Sequence, residues 1–377
     1  MRIPLSAPDI TEAEIEAVSA VLRTNSLSLG PKLGEFEDAL AMYHGMPHGI
    51  AVSSGTAALH LAIRALGIGE GDEVIVPSFT FIAVANAVVY ERAAPVFVDI
   101  DPVMLNMDPA CVADAITART RAIIVVHTFG IPAEMDALME LARRNNIAVI
   151  EDACEAIGAT FNGKLVGNFG DIATLAFYPN KQMTTGEGGA VLVRDEQLAR
   201  RIRALRNQGR YSSDDWLQHA EVGYNYRLAE MACAMGLAQL GRLTEMLARR
   251  EEVARNYDAL LAPLEREGKI ARPALRLPAR GISWFVYVLR LAEGYKAADR
   301  DAVMQSLLNN GIGCARYFAP IHLQPAYASA LSAKRAELAV TESIAQRTLA
   351  LPFFNRLSQA DAKEVVGALE RAFAQLS

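Results

Sequence analysis

The sequence predicts an α/β fold: a mostly parallel sheet covered on both faces by helices, followed by a smaller α+β domain. Three observations carry this. Short β-branched runs alternate with helical patterns from about residue 48 to 195. Those runs are continuously apolar, the mark of strands buried on both faces. From Leu228 the chain turns Ala-, Leu-, Met-, Glu- and Arg-rich, and strand-like alternation returns only after Pro273, Pro278 and Gly281. At 377 residues the chain exceeds one ordinary domain, given about 150 residues per domain. We place a large domain over 1–245 and a small one over 246–377.

The elements follow in order. Gly49-Ile50-Ala51-Val52-Ser53 reads as a strand and Ala57 to Ala65 as a helix. Glu73-Val74-Ile75-Val76-Pro77 is a strand, with a helix through Ala83 to Glu91 after it. Pro95 to Asp99, Ala122 to His127 and Ile147 to Glu151 are three more strands, the last two flanking a helix over Glu134 to Asn145. Ile172 to Phe177 and Ala190 to Val193 form a further pair. Leu228 to Leu264 is one or two long helices, Phe285 to Leu291 a strand, and Asp299 to Asn309 a helix.

Composition narrows the function. A 52% hydrophobic content excludes a chain disordered throughout. Lys and Arg number 37 against 43 Asp and Glu, a net charge of −6, so no overall field draws the chain to nucleic acid or anionic lipid. The basic run Arg200-Arg201-Ile202-Arg203 lies in a helical pattern and reads as a solvated face. Cys111, Cys154, Cys233 and Cys314 are scattered, with no CxxC pair; a zinc site and a disulfide framework are disfavoured and a reducing cytoplasm is expected. Residues 1–5 lack the apolar core of a signal peptide. The longest uncharged run, Val74 to Tyr90, contains Pro77 and Asn86 and reads as a strand and helix, not a membrane span.

Ligands of an open parallel sheet gather at the carboxyl ends of its strands, and the unusual residues lie there. Ser53-Ser54-Gly55-Thr56-Ala57-Ala58-Leu59 leaves a strand and opens a helix. Its free N–H groups and the Thr56 hydroxyl can hold a phosphate, although Ser and Thr also cap helices for structural reasons alone. Glu151-Asp152 ends the most apolar strand; alternation sends one carboxylate to each face, and a partly exposed loop acid is the plainer alternative. Lys181 sits in Tyr178-Pro179-Asn180-Lys181-Gln182-Met183-Thr184-Thr185-Gly186-Glu187-Gly188-Gly189, between two strands. Glycines at that density imply close backbone approach to a ligand, and an amine in a water-poor cleft becomes a nucleophile toward a carbonyl. The alternative is a surface lysine in a hairpin turn. A phosphate holder, a buried acid and a reactive lysine together are what pyridoxal 5'-phosphate requires: a Schiff base through the lysine, a charged partner for the ring nitrogen, and an anion site.

These segments resemble the DegT/DnrJ/EryC1/StrS family of pyridoxal-phosphate sugar aminotransferases. The likeness runs through Leu27-Ser28-Leu29-Gly30-Pro31, Ser54 to Leu59, Pro77-Ser78-Phe79-Thr80-Phe81, Glu151-Asp152-Ala153, Lys181 with Thr184 to Gly189, Gly223-Tyr224-Asn225-Tyr226-Arg227, and Tyr317 with Pro320-Ile321-His322. The resemblance implies a fold-type I transferase. It makes Lys181 the cofactor-linked lysine and proton shuttle, and Asp152 the partner of the pyridinium nitrogen. Phe81 would stack on the ring, though it equally suits a core position. Gly55 and Thr56 would bind the phosphate, and Asn225 would reach across a homodimer to the partner's cofactor. Arg316, Tyr317 and His322 fall in the segment that approaches the site mouth, as substrate contacts. His127 reads as a satisfied buried group, and His44, His48, His60 and His219 as structural.

Two departures stand out. Ala176 occupies a position where serine is common, removing a phosphate hydrogen bond worth about 1.5–3 kcal/mol. Weaker cofactor retention is expected, with Tyr178, Thr56 or a water available to compensate. Glu155 stands where glutamine is common, beside the cofactor's ring oxygen. The implied reaction is ping-pong transfer from L-glutamate to a keto sugar, nucleotide-linked, with no metal. The alternatives are a non-sugar ketone or keto-cyclitol acceptor, or a non-enzymatic regulator. Lys181 disfavours both the regulator and the dehydratase relatives that carry histidine at this position.

Overall fold

Alternation decides how the apolar runs pack. In the run Val74-Ile75-Val76, the two valines enter one core and Ile75 the opposite one; Ile123 and Val125 likewise part company with Ile124 and Val126. A sheet with both faces apolar must be covered on both faces, and helices supply the cover. The computed structural model describes residues 1–213, 215, 218–274, 277–328 and 338–376.

The first half runs α1 (Glu12–Leu22), α2 (Pro31–His44), β1 (His48–Val52), α3 (Gly55–Ala65), β2 (Glu73–Pro77), α4 (Ala83–Tyr90), β3 (Ala94–Val98), α5 (Pro109–Ala115), β4 (Thr120–Val126), α6 (Met135–Asn145) and β5 (Ala148–Asp152). A short hairpin, β6 (Thr160–Phe161) and β7 (Lys164–Leu165), precedes β8 (Ile172–Ala176), β9 (Gly189–Val193) and α7 (Glu196–Arg206). Seven of these strands form one sheet in the order β1-β9-β8-β5-β4-β2-β3. Only β9 runs against its neighbours, β1 and β8; the remaining pairings are parallel. The expected mostly parallel sheet is therefore observed, and the antiparallel β8–β9 pair makes the Lys181 loop a long hairpin connection. Helix α2 covers the β1 end of the sheet, and α1 packs against α8 (Glu230–Gly241); the sequence reading places no element at either helix.

The long helical stretch is two helices, α8 (Glu230–Gly241) and α9 (Leu243–Arg266), and Pro263 is accommodated in the last turn of α9. The chain continues through β10 (Ile270–Ala271), β11 (Arg280–Gly281), β12 (Tyr287–Leu291), α10 (Ala297–Asn309), α11 (Pro325–Ala328), α12 (Ala339–Ala345), β13 (Thr348–Leu351) and α13 (Gln359–Ala374). Strands β10, β12 and β13 make an antiparallel sheet. Helix α9 spans two cores: Leu243 and Met246 pack in the large sheet's core, while Val253, Tyr257 and Leu261 pack with β12 and α13. The 245/246 division thus falls in the first turn of α9, and Ile3 from the chain start packs in the C-terminal core.

Local chemistry fixes the site end of the sheet. Ser54 caps α3 by accepting from the Ala57 N–H at 3.1 Å. At Gly189 a Cβ would lie 2.5 Å from the Ser54 carbonyl carbon, so the start of α3 can lie against β9 only with glycine there. The basic run of α7 is not simply solvated. Arg201 donates to the Ala65 carbonyl at 3.0 Å, closing the C-terminal end of α3, and Arg203 donates to the Gly49 carbonyl at 3.2 Å. Among the described residues no helix is long and apolar enough to cross a membrane, and no His, Cys, Asp and Glu cluster could hold a metal.

Candidate active site

The ends of β1, β2, β4, β5 and β8 open onto one cavity of about 420 Å³. Gly55 and Thr56 from the start of α3, Phe81 ahead of α4, Asp152 at the end of β5 and Glu155 just beyond it, and Lys181 after β8 all line it. Tyr317 and Phe318 come from the C-terminal half.

The two adjacent carboxylates are separated by the pleat, as alternation requires. Glu151 turns away from the cavity and is fully buried. It accepts from the backbone N–H groups of Gly167 (2.7 Å), Phe169 (2.6 Å) and Gly170 (2.7 Å), and faces His127 Nε2 at 3.2 Å. Burial alone would raise its pKa, but His127 and the amides outweigh that and hold it below the ordinary value. His127 Nδ1 accepts from the Ala133 N–H at 3.1 Å, so Nε2 carries the ring proton toward Glu151. This pair belongs to the fold, not to the cavity. Asp152 faces the cavity, its Oδ1 accepting from the Cys154 N–H at 3.0 Å.

The Lys181 side chain is 13% exposed. Its Nζ lies 3.6 Å from Glu155 Oε1 and 3.9 Å from the centre of the Phe285 ring. The loop that carries it is pinned from beneath. Arg250 of α9 donates to the Lys181 carbonyl at 2.9 Å and to the Phe285 carbonyl at 3.0 Å. Gln182 donates to the Glu155 carbonyl at 2.6 Å and to the Ser283 carbonyl at 3.0 Å. Arg250 is buried among carbonyls, and desolvation lowers its pKa to about 10. Phe285 escaped the sequence reading, where it appeared only as the first residue of a strand. The strand begins at Tyr287, and Phe285 lies before it, against the lysine. Nothing in its local pattern marks it, because 104 positions separate it from Lys181.

Phe81 is 59% exposed at the cavity, which sets aside a core role. Tyr317 lines the cavity, and burial raises its pKa to about 12. Arg316 and His322, expected as substrate contacts, do not line the cavity. Arg316 points to the surface and pairs with Asp301 at 2.8 Å. His322 is buried away from the cavity, with Nδ1 2.6 Å from Ser78 Oγ and Nε2 3.1 Å from Glu342. It ties the 317–322 segment to the end of β2, so its part in the site is indirect. Asn225 is exposed and does not line this chain's cavity.

The donor set fits pyridoxal phosphate. A Cβ at Gly55 would come within 2.7 Å of Ala176 Cβ and 3.0 Å of Cys154 Sγ, so glycine leaves the first turn of α3 open as an anion cradle. An amine and a carboxylate face the same space, and Asn180 Oδ1 is buried there without a hydrogen-bond partner.

Glu155 accepts from the Phe129 N–H at 3.0 Å, and burial raises its pKa even though Lys181 opposes the shift. The folded protein therefore disfavours its charged form relative to the unfolded chain. The desolvation cost is absent below the unfolded value near 4.5, and grows as pH rises through the raised folded value. Glu155→Gln, which keeps an acceptor for Phe129, is expected to raise the melting temperature of the cofactor-free protein at about pH 8 and leave it unchanged at about pH 4. Melting curves at the two pH values check this; an equal shift at both would contradict it.

Comparison with known proteins agrees with this geometry. The DegT/DnrJ/EryC1/StrS aminotransferase family profile matches residues 8–370. GDP-perosamine synthase of Caulobacter vibrioides is 43% identical over 376 residues, covering 98% of each chain. The spore coat polysaccharide biosynthesis protein SpsC of Bacillus subtilis is 36% identical, covering 97% of this chain and 96% of its own. The putative sugar aminotransferase Spr1654 of Streptococcus pneumoniae, in its PLP form, superposes with a TM-score of 0.93 at 28% identity, over 100% of this chain and 99% of its own. The chain belongs to the DegT/DnrJ/EryC1/StrS aminotransferase family and is a pyridoxal-phosphate-dependent enzyme.

Proposed function

We propose that this enzyme moves an amino group from L-glutamate to a keto sugar carried on a nucleotide, as a homodimer with shared sites. The observation that carries the substrate class is the likeness, along 98% of both chains, to a synthase of a GDP-linked amino sugar. It is supported by an intact amine and carboxylate in one cavity.

The cofactor, when bound, supplies an aldehyde that holds the migrating amino group and a ring that takes up electrons from the substrate carbon. The chain's residues do the rest. The first turn of α3, with Thr56, holds the phosphate through backbone N–H groups and the helix dipole. Asp152 keeps a proton on the ring nitrogen by its charge. Lys181 Nζ would hold the cofactor and serve as the amine that takes up and returns the proton at the substrate carbon. Glu155, 3.6 Å from that amine, is the group that can share the proton with it. Phe81, Phe285 and Tyr317 line the cavity; Phe81 would cover the face of the cofactor ring, and the other two would narrow the access of water. The Asn225 side chain, exposed and outside the lining of its own cavity, would meet the partner's phosphate.

Incubating the purified protein with pyridoxal phosphate, L-glutamate and a panel of nucleotide-linked keto sugars, GDP-linked ones first, tests the reading. 2-Oxoglutarate release that requires one of these sugars is expected; release only with a free ketone or keto-cyclitol would overturn the substrate class. Ala176→Ser restores a hydroxyl opposite Gly55. It is expected to tighten cofactor binding about tenfold, measured by titrating the cofactor-free protein. Unchanged or weaker binding would place the phosphate elsewhere.

A further inference from the structure

Asn225 lies between two tyrosines whose rings stack, with centroids 5.0 Å apart and planes within 7°. The backbone of this segment runs as a ladder along residues 205–208. The N–H groups of Tyr224 and Tyr226 donate to the Leu205 and Arg206 carbonyls at 2.7 and 3.0 Å, and Asn225 bridges Asn207. In such an extended run, neighbouring side chains point to opposite sides. Both tyrosines turn inward and are half-buried, and Asn225 is left exposed.

What receives the tyrosines is a closed polar cluster. Glu91, at the end of α4, accepts from Tyr224 Oη at 2.8 Å and from Arg64 Nη1 at 3.1 Å. His60, on α3 and buried, has Nε2 2.8 Å from the same Glu91 oxygen and Nδ1 3.0 Å from Tyr226 Oη. A carboxylate only accepts, so Nε2 carries the proton and Nδ1 accepts from the Tyr226 hydroxyl. Burial lowers the pKa of His60 in spite of Glu91, which agrees with a neutral ring in these roles. Both tyrosine hydroxyls, both imidazole nitrogens and the carboxylate therefore have partners. Arg64 Nε is the one atom of the cluster buried without a partner; the hydrogen bonds that the tyrosines, His60 and Glu91 make to one another favour a single arrangement. The same helix that carries His60 begins at Gly55, so one rigid element serves this chain's own cavity and the tyrosine pair.

We propose that His60 and Glu91 are positioning residues: by holding the Tyr226 and Tyr224 hydroxyls they keep the intervening Asn225 turned outward, in the attitude that meets the cofactor phosphate held by a second copy of this chain. The inference rests on the shared-site reading above. No contact between His60 or Glu91 and the cofactor is involved.

The test uses Tyr226→Phe and Glu91→Gln, which keep the ring stack and the side-chain shape, with Asn225→Ala as reference. Each purified dimer is stripped of cofactor and titrated with pyridoxal phosphate by fluorescence quenching, alongside a melting curve. Asn225→Ala is expected to weaken binding, and Tyr226→Phe and Glu91→Gln to weaken it about fivefold each. In the Asn225→Ala background the two substitutions should cost nothing further, because the group they position is gone. A loss that persists undiminished in that background would mark a general effect on the fold and overturn the proposal, as would wild-type affinity in both variants. Should Asn225→Ala itself bind normally, the shared-site reading fails and the proposal falls with it. If either variant does not fold, the other carries the comparison.

Discussion

Asp152, Glu155 and Lys181 stand together in one cavity, largely withdrawn from the surface, and the rest of the site follows from the cost of keeping three ionisable groups there. Each charge removed from water must find a compensating charge or donor. Lys181 faces Glu155 at 3.6 Å and the Phe285 ring at 3.9 Å, and Asp152 takes a backbone N–H. None of these contacts satisfies its group fully, which suits a cavity that receives an anionic, basic and electrophilic ligand at once. The neighbouring Glu151 shows the contrast. Its oxygens are taken by three backbone amides and His127, so no valence remains for chemistry.

Rigidity comes from outside the cavity. Arg250 and Gln182 tie the Lys181 loop to the start of β12 and to the Glu155 backbone, so the amine projects from a fixed support. Ser78 and His322 do the same for the segment that brings Tyr317 and Phe318 to the opposite wall. The polar cluster around Glu91 holds the Asn225 segment. Three sets of hydrogen bonds, made by side chains that do not line the cavity, thus fix the Lys181 loop, the Tyr317–Phe318 wall and the Asn225 segment.

The sequence was most legible where chemistry and local pattern coincide. The strand–Gly55–helix turn, the acid after β5 and the glycine-rich Lys181 loop each stand out along the chain, and the sheet brings them together as parallel topology requires. Legibility failed where a residue acts through distant partners. Phe285 looks like any strand residue, and only the fold sets it against Lys181. His322 resembles a site histidine by position, but its imidazole is consumed by Ser78 and Glu342. The arginines of α7 read as a solvated face, yet two of them cap backbone carbonyls. Ile3 packs in the C-terminal core, whose other buried residues run from Val253 to Phe373, a separation along the chain that no pattern within residues 1–10 reveals.

The proposed chemistry requires the Lys181 amine to be the covalent attachment point for pyridoxal phosphate. Loading the protein with the cofactor, reducing it with borohydride and mapping the labelled peptide by mass spectrometry addresses this directly. The phosphopyridoxyl mass is predicted on the peptide that contains Lys181, in one copy per chain. A label fixed on any other lysine, or none after full loading, would contradict it.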